Sequence, residues 1–219
     1  MTVGVAVLVP MLGRPHHVEG LRQSLTDTAP HARCVWLCSD GDTAAVSECK
    51  ATGDQVEVLP LRGRGDYAGK INHGYRVTSE AWLFLGAADI RFHPGWWDAC
   101  RRRIDSGALV IGTNDLGNSR TASGKLSTHT LVARDYVDWF GTIDQDRTVL
   151  HEGYWHEFVD NEFVETAQAR KAYAHAPDAV VEHLHPMWGK SRPDAMYDAA
   201  AVRMGQGYSL FKKRRPLWT

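Results

Sequence analysis

Short apolar, β-branched runs recur through the first 90 residues, and stretches with helical spacing separate them. Val5 to Pro10 is the first run, closed by Pro10, Gly13 and Pro15. Cys34 to Cys38 stops at Ser39-Asp40-Gly41-Asp42, Gln55 to Leu61 carries Val56, Val58 and Leu59, and Ala81 to Leu85 follows. Apolar runs of this length bounded by Gly, Pro and Asp read as buried strands. Between them, His16 to Leu25 sets Val18, Leu21 and Leu25 on one helical face, Thr43 to Thr52 reads as a second helix, and Asp66 to Thr78 as a third that begins after Gly63-Arg64-Gly65. Strand and helix in alternation imply crossover connections. The expected fold class is therefore α/β, a mostly parallel central sheet with helices on both faces and binding loops at the carboxyl ends of the strands.

Beyond Pro94 the pattern predicts a helix over Trp96 to Ile104, strands over Leu109 to Gly112 and Thr128 to Ala133, and a helix over Phe158 to Ala172. A short strand over Ala179 to Glu182 and a last helical stretch ending in a basic tail complete it. No repeat, linker or low-complexity segment divides the 219 residues, so a single domain is expected. The net charge of -1 supplies no field that would gather nucleic acid, and nucleic acid is not an expected partner. No apolar run approaches the roughly 18–20 residues of a membrane span, which points to a cytoplasmic protein. Cys34, Cys38, Cys49 and Cys100 form no CxxC pair and read as reduced, buried thiols.

Several polar residues sit where a strand ends or a helix begins, the places where side chains meet ligands. Asp40 follows the second strand and can accept a hydrogen bond from a nucleobase N–H, or cap the next helix with Asp42. Pro10 closes the first strand at the same edge. Lys70 and Asn72 follow a glycine-rich turn, so one can reach a phosphate and the other a ribose or sugar hydroxyl, unless both lie on a solvated helix face. Asp89 follows an apolar strand and suits a metal ligand, with a helix cap as the plainer role. Asp115, in Gly112-Thr113-Asn114-Asp115, suits a sugar contact or a simple turn. Asp160 and Glu162 open a helix, as a general base or as acids favoured by the helix dipole. His183 and His185, two apart in an extended segment, point the same way and suit a metal or diphosphate, or a structural role. Lys190 and the run Lys212-Lys213-Arg214-Arg215 suit a diphosphate, a phosphorylated acceptor or plain solvent. Trp96 and Trp97 read as core.

The order Ser39-Asp40-Gly41-Asp42, then Lys70-Ile71-Asn72-His73-Gly74, then Phe84-Leu85-Gly86-Ala87-Ala88-Asp89-Ile90 with Pro94-Gly95-Trp96 behind it resembles the family-2-like GT-A glycosyltransferases, including the small ones of actinobacterial phages. It extends from Val5 to about Lys190. The resemblance implies a GT-A (Rossmann-like) domain in which residues 1–90 form the nucleotide-binding half, 91–190 the acceptor half, and 191–219 a C-terminal helix and basic tail. It implies transfer of a sugar from a nucleoside-diphosphate donor to an acceptor hydroxyl of a protein, lipid or polysaccharide, with inversion, in the host cytoplasm if the gene is a phage's. Asp40 would then hold the base, and Pro10, Lys70, Asn72, Asp115 and Lys190 the rest of the donor. Asp160 or Glu162 would serve as general base, with Mn²⁺ or Mg²⁺ at Asp89. One departure matters: the family's Asp-x-Asp triplet aligns with Gly86-Ala87-Ala88, leaving Asp89 as the one carboxylate, so His183, which ends its strand, or His185 must help hold the ion. Two rivals remain. A nucleotidyltransferase needs a basic glycine-rich loop larger than Gly63-Arg64-Gly65, and a non-catalytic nucleotide- or carbohydrate-binding module would tolerate the missing carboxylate.

Overall fold

In the computed structural model, which describes residues 4–219, eight strands form one sheet in the order β3-β2-β1-β4-β7-β6-β8-β5. They are β1 Val5–Met11, β2 Arg33–Ser39, β3 Gln55–Leu59, β4 Trp82–Leu85, β5 Ile90–Phe92, β6 Val110–Asn114, β7 Thr130–Ala133 and β8 Tyr173–His183. β7 and β5 run against their neighbours and the other strands share one direction. The expected mostly parallel α/β architecture is the observed one. Its apolar strands are buried on both faces because α1 (Val18–Thr28), α2 (Thr43–Ala51), α3 (Asp66–Val77) and α4 (Trp96–Asp105) connect them as crossovers. Four further helices follow: α5 Ser119–Ala122, α6 Arg134–Phe140, α7 Val159–Ala169 and α8 Ala195–Arg214.

The core runs through β1, β2 and β4, where Val7, Leu8, Trp36, Leu37, Leu83 and Phe84 are fully buried. An aromatic cluster of Phe84, Phe92 and Trp96 continues it, with Trp96 and Phe92 centroids 4.8 Å apart and the Trp96 indole N–H donating to Thr28 Oγ1 at 3.1 Å. All four cysteines are buried and unpaired, and no helix among the described residues is long and apolar enough to cross a membrane.

Two departures from the sequence pattern, and the packing of Gly86, bear on the site. Ile90–Phe92, too short to stand out, is a strand, and it pairs antiparallel with β8 in the register Ile90 to His183. β8 is much longer than Ala179 to Glu182, because the segment around Pro177 and Asp178 bulges out between the pairs Gly112–His175 and Asn114–Val180. Gly86 is fixed by packing: its N–H donates to the Leu8 carbonyl at 2.9 Å, and a Cβ there would stand 2.9 Å from that same oxygen. β5 lies at the open edge of the sheet, where α1 covers it and Ser24 Oγ accepts the Phe92 N–H at 3.2 Å.

Candidate active site

Two carboxyl-end loops meet where β5 pairs with β8. The Leu184 N–H donates to the Asp89 carbonyl at 2.8 Å and the His183 N–H to the Asp115 carbonyl at 3.1 Å, so the backbone itself fixes Asp89 beside His183. Their side chains meet, His183 Nε2 to Asp89 Oδ2, at 3.5 Å. Asp89 is also reached by Arg14 Nη1 at 2.6 Å and by the Tyr197 hydroxyl of α8. Burial alone would push its carboxyl up, but the His183 hydrogen bond and charge, the Arg14 guanidinium and the Tyr197 hydroxyl hold it well below the usual carboxylate range. These contacts all fall on Oδ2. Among the described residues no hydrogen bond reaches Oδ1.

Around this pair the imidazoles stack. His183 lies edge-to-face with His129 at 4.9 Å and with His185 at 5.0 Å. His129 is buried with both ring nitrogens unpartnered, and burial, then the His183 charge, pushes its pKa down to about 3. His185 Nδ1 accepts the Met187 N–H at 3.0 Å, so the neutral ring carries its hydrogen on Nε2, which leaves that nitrogen no lone pair for an ion. A carboxylate oxygen and an imidazole nitrogen are donors that suit Mn²⁺ or Mg²⁺, and the two meet here. No three His, Cys, Asp or Glu gather as a ligand group among the described residues, so phosphate oxygens and waters would have to complete the shell.

Asp160 lies in the first turn of α7. The preceding Phe158 has a left-handed backbone, φ 70°, unusual for an aromatic, and is held there by ring contacts with Tyr208 at 5.5 Å and Phe211 at 5.7 Å. Burial pushes the Asp160 carboxyl up, only partly offset by the Asn161 N–H and the charges of His156 and Arg120. No side chain hydrogen-bonds to it among the described residues. Tyr67 feels both acids: burial and then the charges of Asp160 and Asp89 push its hydroxyl pKa up, it donates to the Gly86 carbonyl at 3.2 Å, and its ring meets His156 edge-on at 4.9 Å.

Other residues singled out from the sequence are committed elsewhere, and the structure corrects their roles. All three hydrogens of the buried Lys70 ammonium are taken, by Ser39 Oγ and Asp66 Oδ2 at 2.7 Å and by the Met11 carbonyl at 3.1 Å, so it bolts β1 and β2 to α3 rather than facing a phosphate. Asn72 points inward: its Oδ1 accepts from the Val149 and Leu150 N–H groups at 3.0 Å and its Nδ2 donates to the Leu150 carbonyl and Glu152. Asp115 closes a turn, accepting from the N–H groups of Gly117 and Asn118 and the Thr128 hydroxyl. Glu162 is buried, with Arg214 on both oxygens at 2.8 Å and the Tyr154 hydroxyl on Oε2 at 2.7 Å, so both oxygens are engaged by the protein and the carboxylate serves an ion pair rather than standing free as a base. Lys190 pairs with Glu182 at 2.9 Å, and the basic run is split, with Arg214 buried and Arg215 on Glu165 at 3.0 Å. Asp40 stays exposed at the end of β2, its side chain accepting, among the described residues, only the Leu61 N–H at 3.2 Å, and Pro10 of β1 pairs with Leu37 of β2.

Arg14, Tyr67, His129 and Tyr197 were not singled out as ligands of the Asp89 neighbourhood. Arg14 follows β1 at the carboxyl edge of the sheet, where such loops gather, and that position is the one signal that could have found it.

Neither a family model nor a curated protein sequence matches the chain. Solved structures do resemble it. A mannosyltransferase from Pyrobaculum calidifontis, solved with GDP-Man and Mn²⁺, superposes with a TM-score of 0.62 at 16% identity over 93% of this chain, which spans 61% of that protein's length. Glucosyl-3-phosphoglycerate synthase from Mycobacterium tuberculosis superposes with a TM-score of 0.66 over 96% of this chain and 78% of that one, at 14% identity, in a complex with Mn²⁺, UDP and phosphoglyceric acid. The same enzyme with Mg²⁺ and UDP gives a TM-score of 0.66 at 16% identity over 79% of its length. Likeness at this level of identity speaks for architecture, and with the sheet order above it establishes that the chain has the GT-A glycosyltransferase fold.

Proposed function

We propose that the chain moves a sugar from a nucleoside-diphosphate donor to an acceptor hydroxyl. Residues 1–90 hold the nucleotide, 91–190 the acceptor, and 191–219 close the far side. The observation that carries this reading is the meeting of Asp89 and His183 at the carboxyl edge of a GT-A sheet. The structural neighbours' GDP-Man and UDP complexes support a donor of that class. Asp40, exposed at the end of β2, accepts from the nucleobase. Asp89, through Oδ1, and His183 are the residues that would hold Mn²⁺ or Mg²⁺. The ion, when bound, neutralises the charge that builds on the departing diphosphate.

Asp160 takes the proton from the acceptor hydroxyl as its oxygen bonds to the anomeric carbon, and the bond from that carbon to the diphosphate oxygen breaks on the opposite side, which inverts the centre. A carboxyl raised by burial and free of partners suits a base that must hold a proton for part of the cycle. We place the reaction in the cytoplasm, the host's if the gene is a phage's.

Calorimetric titration with UDP and with GDP, each with and without Mn²⁺, tests the binding half of this reading. One nucleotide should bind, Mn²⁺ should tighten it, and Asp40→Ala should weaken it even without metal. Asp160→Asn should leave nucleotide binding intact and lower sugar transfer by about 10²–10⁴-fold, the usual worth of a general base. Failure of both nucleotides to bind sinks the proposal. Binding without any turnover from candidate sugar donors favours a non-catalytic module.

A further inference from the structure

A cation already sits on Asp89. Arg14 spans two carboxylates, reaching Asp89 Oδ2 at 2.6 Å and Asp194 at 2.8 and 3.1 Å, while its guanidinium lies 4.0 Å above the Tyr197 ring. Asp194 caps α8, accepting from the Met196 and Tyr197 N–H groups, and Tyr197 in turn donates to Asp89 and packs 4.4 Å from the His185 ring. The contacts that hold the first turn of α8 thus converge on the carboxylate a divalent ion needs. The rest of α8 is held differently. Its buried residues are Gly207, Phe211 and Arg214, all in the C-terminal half. Gly205 and Gly207 stand where the two halves join, and glycine inside a helix is the residue that costs least to bend and most to keep straight.

Resting on the reading that Asp89 holds a metal, we infer that Arg14 is a placeholder cation on Asp89 and that the N-terminal half of α8 is a strap that metal and donor displace. A divalent ion brought to Asp89 Oδ1 repels the guanidinium held on Oδ2 of the same carboxylate. Arg14 then leaves Asp89, with Asp194 and Tyr197 released behind it, and a nucleoside diphosphate supplies the anionic oxygens that suit the freed fork. The apparent metal affinity of the resting protein is set by the fraction of molecules in which the strap is open.

The test measures Mn²⁺ binding to the full chain by electron paramagnetic resonance, and amide exchange across residues 195–204 by mass spectrometry. Tyr197→Phe deletes one hydrogen bond from Asp89, and Asp194→Asn loosens Arg14. Each should tighten Mn²⁺ by about tenfold, as expected when a closed state that competes for the site loses population. In the wild type, Mn²⁺ with UDP or GDP should speed exchange across 195–204 and leave 207–214 protected. If Asp194→Asn fails to fold, Tyr197→Phe decides alone. Unchanged or weaker Mn²⁺ binding in Tyr197→Phe, or slower exchange across 195–204 on adding Mn²⁺ and nucleotide, overturns the strap. Asp89→Asn separates the two ideas: Mn²⁺ binding that survives it defeats the metal reading itself, whereas loss in Asp89→Asn without gain in Tyr197→Phe defeats the strap alone.

Discussion

Two arginines each bridge two carboxylates, one at either end of α8, and their side chains are about equally buried, 11% exposed for Arg14 and 10% for Arg214. What differs is how completely each bridge satisfies its acids. Arg214 reaches both oxygens of Glu162 and both of Asp144 at 2.8–2.9 Å, and Tyr154 adds a third hydrogen bond to Glu162. Arg14 touches only one oxygen of Asp89, shares it with Tyr197 and His183, and leaves the other without a protein donor. A saturated bridge is part of the scaffold, since any departure strands a buried charge. An unsaturated one can exchange partners. Burial and charge alone therefore do not distinguish the two bridges, and the presence of a carboxylate oxygen with no partner among the described residues does.

Removing the two arginines should separate them most sharply. Arg214→Ala strands Glu162, and the loss of a partner from a buried ion pair costs about 3–5 kcal/mol. Arg14→Ala leaves His183 and Tyr197 on Asp89 and should cost about 1.5–3 kcal/mol, the range of a hydrogen bond to a charged group. Urea unfolding of both variants checks this, and equal losses would break the contrast.

Acid should sharpen it further. The Arg214 hydrogen bonds, and then its charge, hold the Asp144 carboxyl down to about 2, against an ordinary value of about 3.9 in the unfolded chain. A depressed carboxyl contributes stability that is fully present above the unfolded value and is lost as pH falls through the folded one. The urea midpoint should therefore fall between about pH 4 and pH 2 in the wild type, and less steeply in Arg214→Ala. A parallel slope in the variant would mean that Arg214 does not hold Asp144.

The smallest effect concerns the two acids of α7. Asp160 is raised, so its ionised form is disfavoured in the folded state, and that cost exists at neutral pH and vanishes below the unfolded value. Asp160→Asn should thus raise Tm at pH 7 by a few degrees at most, where 1 kcal/mol moves Tm about 2–4 °C in a chain of this size, and leave it unchanged near pH 3. Glu162→Gln should lower Tm at pH 7 instead, since it weakens the Arg214 bridge. A stabilised Glu162→Gln with lost turnover would hand the base role back to Glu162.

The sheet was legible in the sequence wherever strands were apolar on both faces, as in β1, β2 and β4, because a continuous run between breakers has few other readings. It was not legible where pairing made the strand. Ile90-Arg91-Phe92 is a strand through its register with β8, and Pro177 and Asp178 hide a bulge inside what remains one strand. At the site, Asp89 and His183 could be named because strand ends display their polar residues at the binding edge. Lys70 and Asn72 were misread because a polar residue's type is visible in sequence and its direction is not: both face inward on α3, Lys70 onto the ends of β1 and β2 and Asn72 onto the segment at Val149 and Leu150. Arg14 and Tyr197, 183 positions apart, become neighbours only once α8 is laid against the sheet.

The edge of the sheet at β5 bears on how this protein behaves in a crowd. An open strand edge beside a ligand site is a template on which another chain can add, and such growth would bury the reactive loop in an aggregate. Here that edge is three residues long, carries the exposed Arg91, and has its Phe92 N–H already taken by Ser24 of α1. The backbone beside the two strand-ending loops therefore offers little to a stray β-strand, and this edge is a poor seed for self-association.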